Sequence, residues 1–178
     1  MNTFTSGLAE LISDSIFQEA SLFLLRTVPG FPPIIQTVHI LGIAVVMGSI
    51  VMLNLRVLGL AVPSQNISEM TQRLMPWLWS ALVINAISGS VFLFARPNRY
   101  LNNPVFGWKF TFLIPAILLT LFFHYMSRQQ PDFWNSSRQR ALTAKIIALL
   151  SLVLWIMVPM AGRWIAYSEY IYFPAENF

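Results

Sequence analysis

The sequence predicts an all-α fold: an integral membrane four-helix bundle preceded by an N-terminal amphipathic helix at the membrane interface. Three observations predict it. Of the 178 residues, 56% are apolar and only 10% are charged, against about 25% charged in an average soluble domain. The apolar residues gather in four runs, Ile34–Leu60, Pro76–Ala95, Val105–Met126 and Ala144–Tyr167, each near the roughly 20 residues that a membrane-spanning helix needs. The connections between runs are short, which makes consecutive spans antiparallel neighbours in one domain. The chain therefore divides into an interfacial segment (1–30), a four-span domain (31–170) and a C-terminal tail (171–178).

Composition also excludes functions. Cysteine is absent, so disulfides, thiolate metal sites and iron–sulfur clusters are ruled out. The net charge of +4 falls at the edges of the apolar runs and reads as membrane topology; no nucleic-acid partner is expected. No phosphate loop, carboxylate pair or nucleophile–base pair is recognisable. All seven acids lie outside the apolar runs, which argues against a transporter driven through a buried carboxylate.

Taken in order, the N-terminal segment lacks the basic n-region and h-region of a cleavable signal peptide. Leu8, Leu11, Ile12, Ile16, Phe23 and Leu24 set an apolar face, with Glu10, Asp14 and Glu19 on the other, and the helix is expected to lie on the bilayer or against a protein partner. Pro29-Gly30 and Pro32-Pro33 end it and turn the chain into span one. Within span one, His39, Gly42, Val46, Ser49, Leu53 and Arg56 follow steps of three and four and share a helical face. Polar groups on such a helix turn toward protein, because lipid cannot satisfy them.

Call the membrane face where span one begins side A and the other side B. The B-side loop AVPSQNISEMTQRL leads to span two, for which Pro76 is a suitable first-turn residue. Asn85, Ser88, Gly89 and Phe92 share one of its faces and read as helix-packing residues. ARPNRYLNNP is a short A-side turn. Span three carries Lys109 early and His124 near its end. A polar B-side loop, SRQQPDFWNSSRQR, precedes span four, which returns to side A in GRWIAY. Pro115 and Pro159 interrupt the hydrogen-bond ladders of spans three and four. Trp77, Trp79 and Trp134 on side B, and Trp108, Trp164 and Tyr167 on side A, fit interfacial belts.

Arg26, Arg96, Arg99, Lys109 and Arg163 fall on side A; Arg56, Arg73, Arg128, Arg138, Arg140 and Lys145 fall on side B. Setting aside Lys109 and Arg163, which lie inside apolar runs, side B is cytoplasmic by the positive-inside rule. Both termini then face the periplasm of a bacterial inner membrane.

The groups able to carry chemistry are few. Both histidines lie in spans, but His124 stands roughly 22 Å deeper than Lys109, which is level with His39. Two axial nitrogens on one iron lie about 4 Å apart, so a single haem does not bridge His39 and His124. The partner level with His39 is Lys109, on a face of span three shared with Leu113, Ala116, Thr120 and His124. An unprotonated lysine amine can ligate iron. Gly42, one turn beyond His39, leaves room for a flat macrocycle, and Arg96, Arg99 and Arg163 are placed to neutralise propionates. Each residue also has a plainer reading. An early lysine snorkels to the headgroups, an intramembrane histidine donates to a helix carbonyl, and His124 beside Tyr125 is structural or else holds a second metal site. Met157 and Met160 are a soft ligand pair or core filler.

The stretches VHILGIAVVMGSIVMLNLRVLGL, EMTQRLMPW, FGWKFTFL and AGRWIAY resemble an uncharacterised family of small bacterial four-helix membrane proteins over roughly residues 34–167, with GRWIAY the most specific element. More distantly, the order of a histidine in span one, an arginine at its end, Arg-Leu before span two, an early lysine in span three and a histidine at its end resembles the membrane-bound protoporphyrinogen oxidase family and the copper resistance D family. The oxidase resemblance implies a b-type haem on His39 and Lys109, with Arg56 and His124 matching the family's arginine and terminal histidine. That family has a bulky aromatic stretch after its histidine, where this chain has LGIAVVMGS.

The expected function is a haem b-binding membrane protein that passes electrons to a quinone or redox partner, or anchors a redox complex. Protoporphyrinogen oxidase-like activity is the enzymatic alternative. A cofactor-free assembly subunit, docking through the N-terminal helix and the tail YSEYIYFPAENF, is the third. Two histidines and scattered methionines make a poor copper path.

Overall fold

A computed structural model describes residues 3–130 and 133–168. Among these the chain is all helix. Two short N-terminal helices, α1 (Thr3–Ile12) and α2 (Ile16–Thr27), lead to the long helix α3 (Phe31–Leu58). The second long helix, α4 (Ile67–Ala95), is followed by a five-residue helix, α5 (Pro97–Leu101). Then come α6 (Pro104–Gln129), a 3-10 turn at Phe133–Asn135, α7 (Arg138–Trp164) and a last 3-10 turn at Ile165–Tyr167. The C-terminal tail proposed as a docking element lies outside the described residues.

α3, α4, α6 and the continuous helical segment from Arg138 to Tyr167 are each long and apolar enough to cross a membrane. Their outward faces support the same reading. Leu41, Val83, Ile87, Leu118 and Leu149 are large apolar residues in the middle of the helices, and all are more than half exposed. A soluble monomer rarely shows contiguous apolar surface on this scale, whereas lipid is a suitable solvent for it.

The four long helices form a square. α3 packs along α4 on one side and α7 on the other; α6 packs along α7 and less closely along α4. α3 and α6, the helices that carry His39 and Lys109, therefore face each other across the diagonal. The core has two apolar clusters. Val46, Ile50, Leu78, Ala81, Ala116 and Trp155 fill the middle. Leu53, Val57, Met75, Phe123, Trp134 and Ala148 belong to the cluster toward side B.

The helix boundaries differ from the sequence expectation where side-chain capping outweighs hydropathy. The N-terminal segment is two helices instead of one. Asp14 takes a left-handed conformation (φ 62), Ser15 accepts from the Gln18 N–H at 3.3 Å, and Gln18 Oε1 accepts from the Asp14 N–H at 2.7 Å. This is a Ser-x-x-Gln capping box displaced by one residue. α4 begins at Ile67, well before Pro76, because Asn66 Oδ1 accepts from the Ser68 N–H at 2.8 Å and Glu69 follows in the first turn. Pro76 is inside the helix and not at its start. Glu69 forms an exposed ion pair with Arg73 at 2.6 Å. α7 begins at Arg138 under a Ser137 cap, ahead of the apolar run at Ala144.

Trp134 is not an interfacial residue. It is 2% exposed, stacks on Phe123 with ring centroids 4.7 Å apart and donates to Ser127 Oγ at 2.9 Å. The Ser127 carbonyl accepts from Ser68 Oγ, so the B end of α6 is fastened to the start of α4. The A end has its own clasp. Asn103 caps α6 through Oδ1, while its Nδ2 donates to the Ile165 carbonyl and to Ser168 Oγ. The end of the GRWIAY stretch thereby fixes the first turns of α6, where Lys109 lies.

Candidate functional site

The site is built on the α3–α4 seam. Gly42 and Gly89 allow these helices to approach closely. A Cβ at Gly42 would overlap the Asn85 carboxamide, and one at Gly89 would meet His39 Cε1 at 3.4 Å. Asn85 uses the space over Gly42 to reach the α3 backbone. With the carboxamide oriented so that both groups are satisfied, Nδ2 donates to the His39 carbonyl at 2.8 Å and Oδ1 accepts from the Ile43 N–H at 3.1 Å. The room expected beside Gly42 for a macrocycle is thus filled by Asn85, because the amide needs backbone partners inside the membrane.

His39 is half-buried, with its ring against Gly89 and its Nδ1 2.7 Å from Ser88 Oγ. The Ser88 hydroxyl is 2.7 Å from the Ile84 carbonyl, one turn back on α4. Both contacts are satisfied together when the serine donates to Ile84 and accepts from His39 Nδ1–H, the tautomer that leaves the Nε2 lone pair available. Nε2 makes no hydrogen bond among the described residues.

Lys109 is also half-buried, in the first turns of α6 as His39 is in the early turns of α3. Among the described residues its amine has neither an ion-pair nor a hydrogen-bond partner. The histidine and lysine therefore occupy the same A-side region from diagonal helices.

The remaining candidates lie elsewhere. Arg96, at the α4–α5 junction, and Arg99, on α5, are exposed on the A surface. Arg163 is exposed and turned to Tyr167, with its guanidinium carbon 5.6 Å from the ring centroid and Nη2 donating to the hydroxyl at 3.4 Å. None of the three is hydrogen-bonded to His39 or Lys109. Arg56 closes the α3–α4 turn by donating from Nε to the Gln65 carbonyl at 2.6 Å.

His124 sits in the B half of α6, beside the buried face defined by Phe123 and Ser127. Its Nδ1 is buried and has no hydrogen-bond partner, and Arg128 lies in electrostatic range. Among the described residues no group of three or more His, Cys, Asp or Glu side chains is placed to hold a metal ion.

Residues 24–168 match the model of a family described as a family of unknown function (DUF6644). The chain belongs to DUF6644. No curated protein and no solved structure matches it. The match in this DUF6644 chain covers all four membrane-capable helices and the His39–Lys109 region. It agrees with the expected membership of an uncharacterised family, while the two more distant resemblances rest on the sequence motifs alone.

Ser88, Asn85 and Gly89 are the neighbours of His39 that sequence reasoning assigned only to packing. Their spacing placed them on one face, but nothing in the sequence indicates that this face meets His39.

Proposed function

We propose that this DUF6644 chain is a haem b-binding protein of the bacterial inner membrane, with both termini on the periplasmic side. It passes electrons to a quinone or protein partner, or forms the membrane anchor of a redox complex. His39 and Lys109 hold the iron, and Arg96 and Arg99 on the A surface meet the propionates.

The His39–Ser88–Ile84 hydrogen-bond chain is the observation that supports this reading. A ligating histidine typically donates its other ring N–H to a fixed acceptor, which sets its tautomer and orientation. The donor set suits a haem: among the described residues the imidazole has no hydrogen bond at Nε2 and the amine has no ion-pair partner. Gly42 is not part of that set, because Asn85 covers it. When bound, the haem would supply one-electron redox chemistry. The chain's own part is to anchor His39 through Ser88, to place Lys109 through the Asn103 clasp, and to surround both with lipid-facing apolar helices.

The test is a reduced-minus-oxidised spectrum and pyridine haemochrome assay on the full chain, expressed with haem supplied and purified in mild detergent. A b-type spectrum that is lost in His39→Ala and kept in His124→Ala supports the reading. A folded preparation without haem overturns it.

A further inference from the structure

The middle of the bundle holds a second polar group that the His39–Lys109 region does not use. Asn54 on α3, Thr120 on α6 and Ser151 on α7 are 6%, 3% and 4% exposed. They line a cavity of about 10 Å³ whose other walls include Ile50, Met75 and Phe123. That is close to the roughly 10–15 Å³ needed for a single water.

The existing hydrogen bonds leave this cavity unsatisfied. Asn54 Nδ2 donates to Ser151 Oγ at 3.4 Å, a long contact. Trp155 Nε1 donates to Thr120 Oγ1 at 3.0 Å, and Thr120 commits its own proton to the Ala116 carbonyl at 2.8 Å. Thr120 Oγ1 keeps a lone pair. Asn54 Oδ1 and the Ser151 hydroxyl proton have no partner among the described residues. An amide oxygen without a hydrogen bond is unfavourable in an apolar medium, and lipid offers it no donor.

We propose that this cavity binds one ordered water molecule. It accepts from the Ser151 hydroxyl and donates to Asn54 Oδ1 and Thr120 Oγ1, giving it three polar partners, the usual number for a buried water. A cation is a poor occupant, because the described part of the bundle interior has no carboxylate; Glu69, the acid of α4, is exposed in its first turn.

The water supplies a link that direct packing does not. α3 and α6 stand on the diagonal of the square, and the Asn54–Ser151 and Trp155–Thr120 pairs share no direct hydrogen bond. A bridging water joins both pairs and holds the rotation of the two helices that carry His39 and Lys109. This inference does not depend on whether haem binds.

Two measurements on the full chain test it. A structure at about 2 Å should show one water peak within hydrogen-bond reach, roughly 2.7–3.2 Å, of Asn54, Thr120 and Ser151. An empty cavity, or one closed by side-chain movement, overturns the proposal. A double-mutant cycle with Ser151→Ala and Thr120→Val, read by thermal midpoint, should be strongly non-additive: once either substitution has expelled the water, the second shifts the midpoint much less than it does alone. Equal shifts in both backgrounds overturn the proposal. Thr120→Ser keeps the hydroxyl and should keep the wild-type response to Ser151→Ala, which separates loss of the water from loss of a methyl group.

Discussion

His39 Nδ1 lies 2.7 Å from Ser88 Oγ, and Ser88 in turn donates to the Ile84 carbonyl. The histidine ring is therefore held by a side chain of the helix beside it. Ser88→Ala removes the acceptor without adding volume at a position only 1% exposed. Hydrogen bonds between membrane helices contribute about 0.6 kcal/mol on average and at most about 1.7, so the thermal midpoint should fall only slightly. On the proposed haem-binding role of His39, haem affinity should fall further, by about 10–100-fold, because the group holding a ligating histidine's second nitrogen governs its orientation. Titrating haem into purified wild type and Ser88→Ala separates the two effects. Equal affinity with a lowered midpoint would make the serine a packing residue alone.

The Gly42–Asn85 contact gives a prediction independent of any cofactor. Gly42→Ala places a methyl group against the Asn85 carboxamide and should cost about 1–3 kcal/mol, as overpacking usually does. Gly89→Ala should cost less, because its nearest neighbour is the His39 ring at 3.4 Å. Gly48→Ala meets open space and should be neutral or gain up to about 1 kcal/mol from helix propensity. Adding Asn85→Ala to Gly42→Ala removes the clashing group, so the double variant should be more stable than the sum of the single losses predicts. Midpoints in one detergent measure the series. Additive losses would show that the two residues do not meet.

These contacts also show what the sequence could and could not reveal. The four spans were readable from hydropathy alone, since lipid selects apolar residues all around a helix. The inward stripe of α3 was readable too: Gly42, Val46, Ser49 and Leu53 are all buried. The starts of α4 and α7 were missed because Asn66 and Ser137 cap polar turns outside the apolar runs; Asn66 with Glu69 three residues later was the available signal. Trp134 was misplaced because a tryptophan beside a span is usually interfacial, and only the fold brings Phe123 and Ser127 to it. The expectation that His39 and Lys109 lie level followed from helix rise. The bond from His39 to Ser88 did not, because it depends on which helices are neighbours and how they are rotated.

The Asn103 clasp should matter more than an ordinary helix cap. Asn103 satisfies the start of α6 with Oδ1 and the end of α7 with Nδ2. Asn103→Ala loses the cap, worth about 0.5–2 kcal/mol, together with the bonds to Ile165 within GRWIAY and to Ser168 just beyond it. Asn103→Asp keeps the cap acceptor but cannot donate, so it should recover only part of the loss. Hydrogen exchange should show faster opening of residues 104–109 and 162–168 in Asn103→Ala, with the B end unchanged. Uniform loosening of the whole bundle would argue that the clasp has no local role.

Topology can be tested cleanly because the sequence has no cysteine, so any introduced thiol is the sole target. Asn98 on α5 and Ser136 after the B-side 3-10 turn are both exposed and lie at opposite ends of the bundle. By the positive-inside rule, the arginines and lysine around side B, including Arg73, Arg138, Arg140 and Lys145, predict that side to be cytoplasmic. Asn98→Cys should therefore react with a membrane-impermeant maleimide in intact cells, and Ser136→Cys only after the cells are opened. The reverse pattern would put the His39–Lys109 region under the cytoplasmic leaflet. Any electron donor or acceptor would then have to be sought on that side.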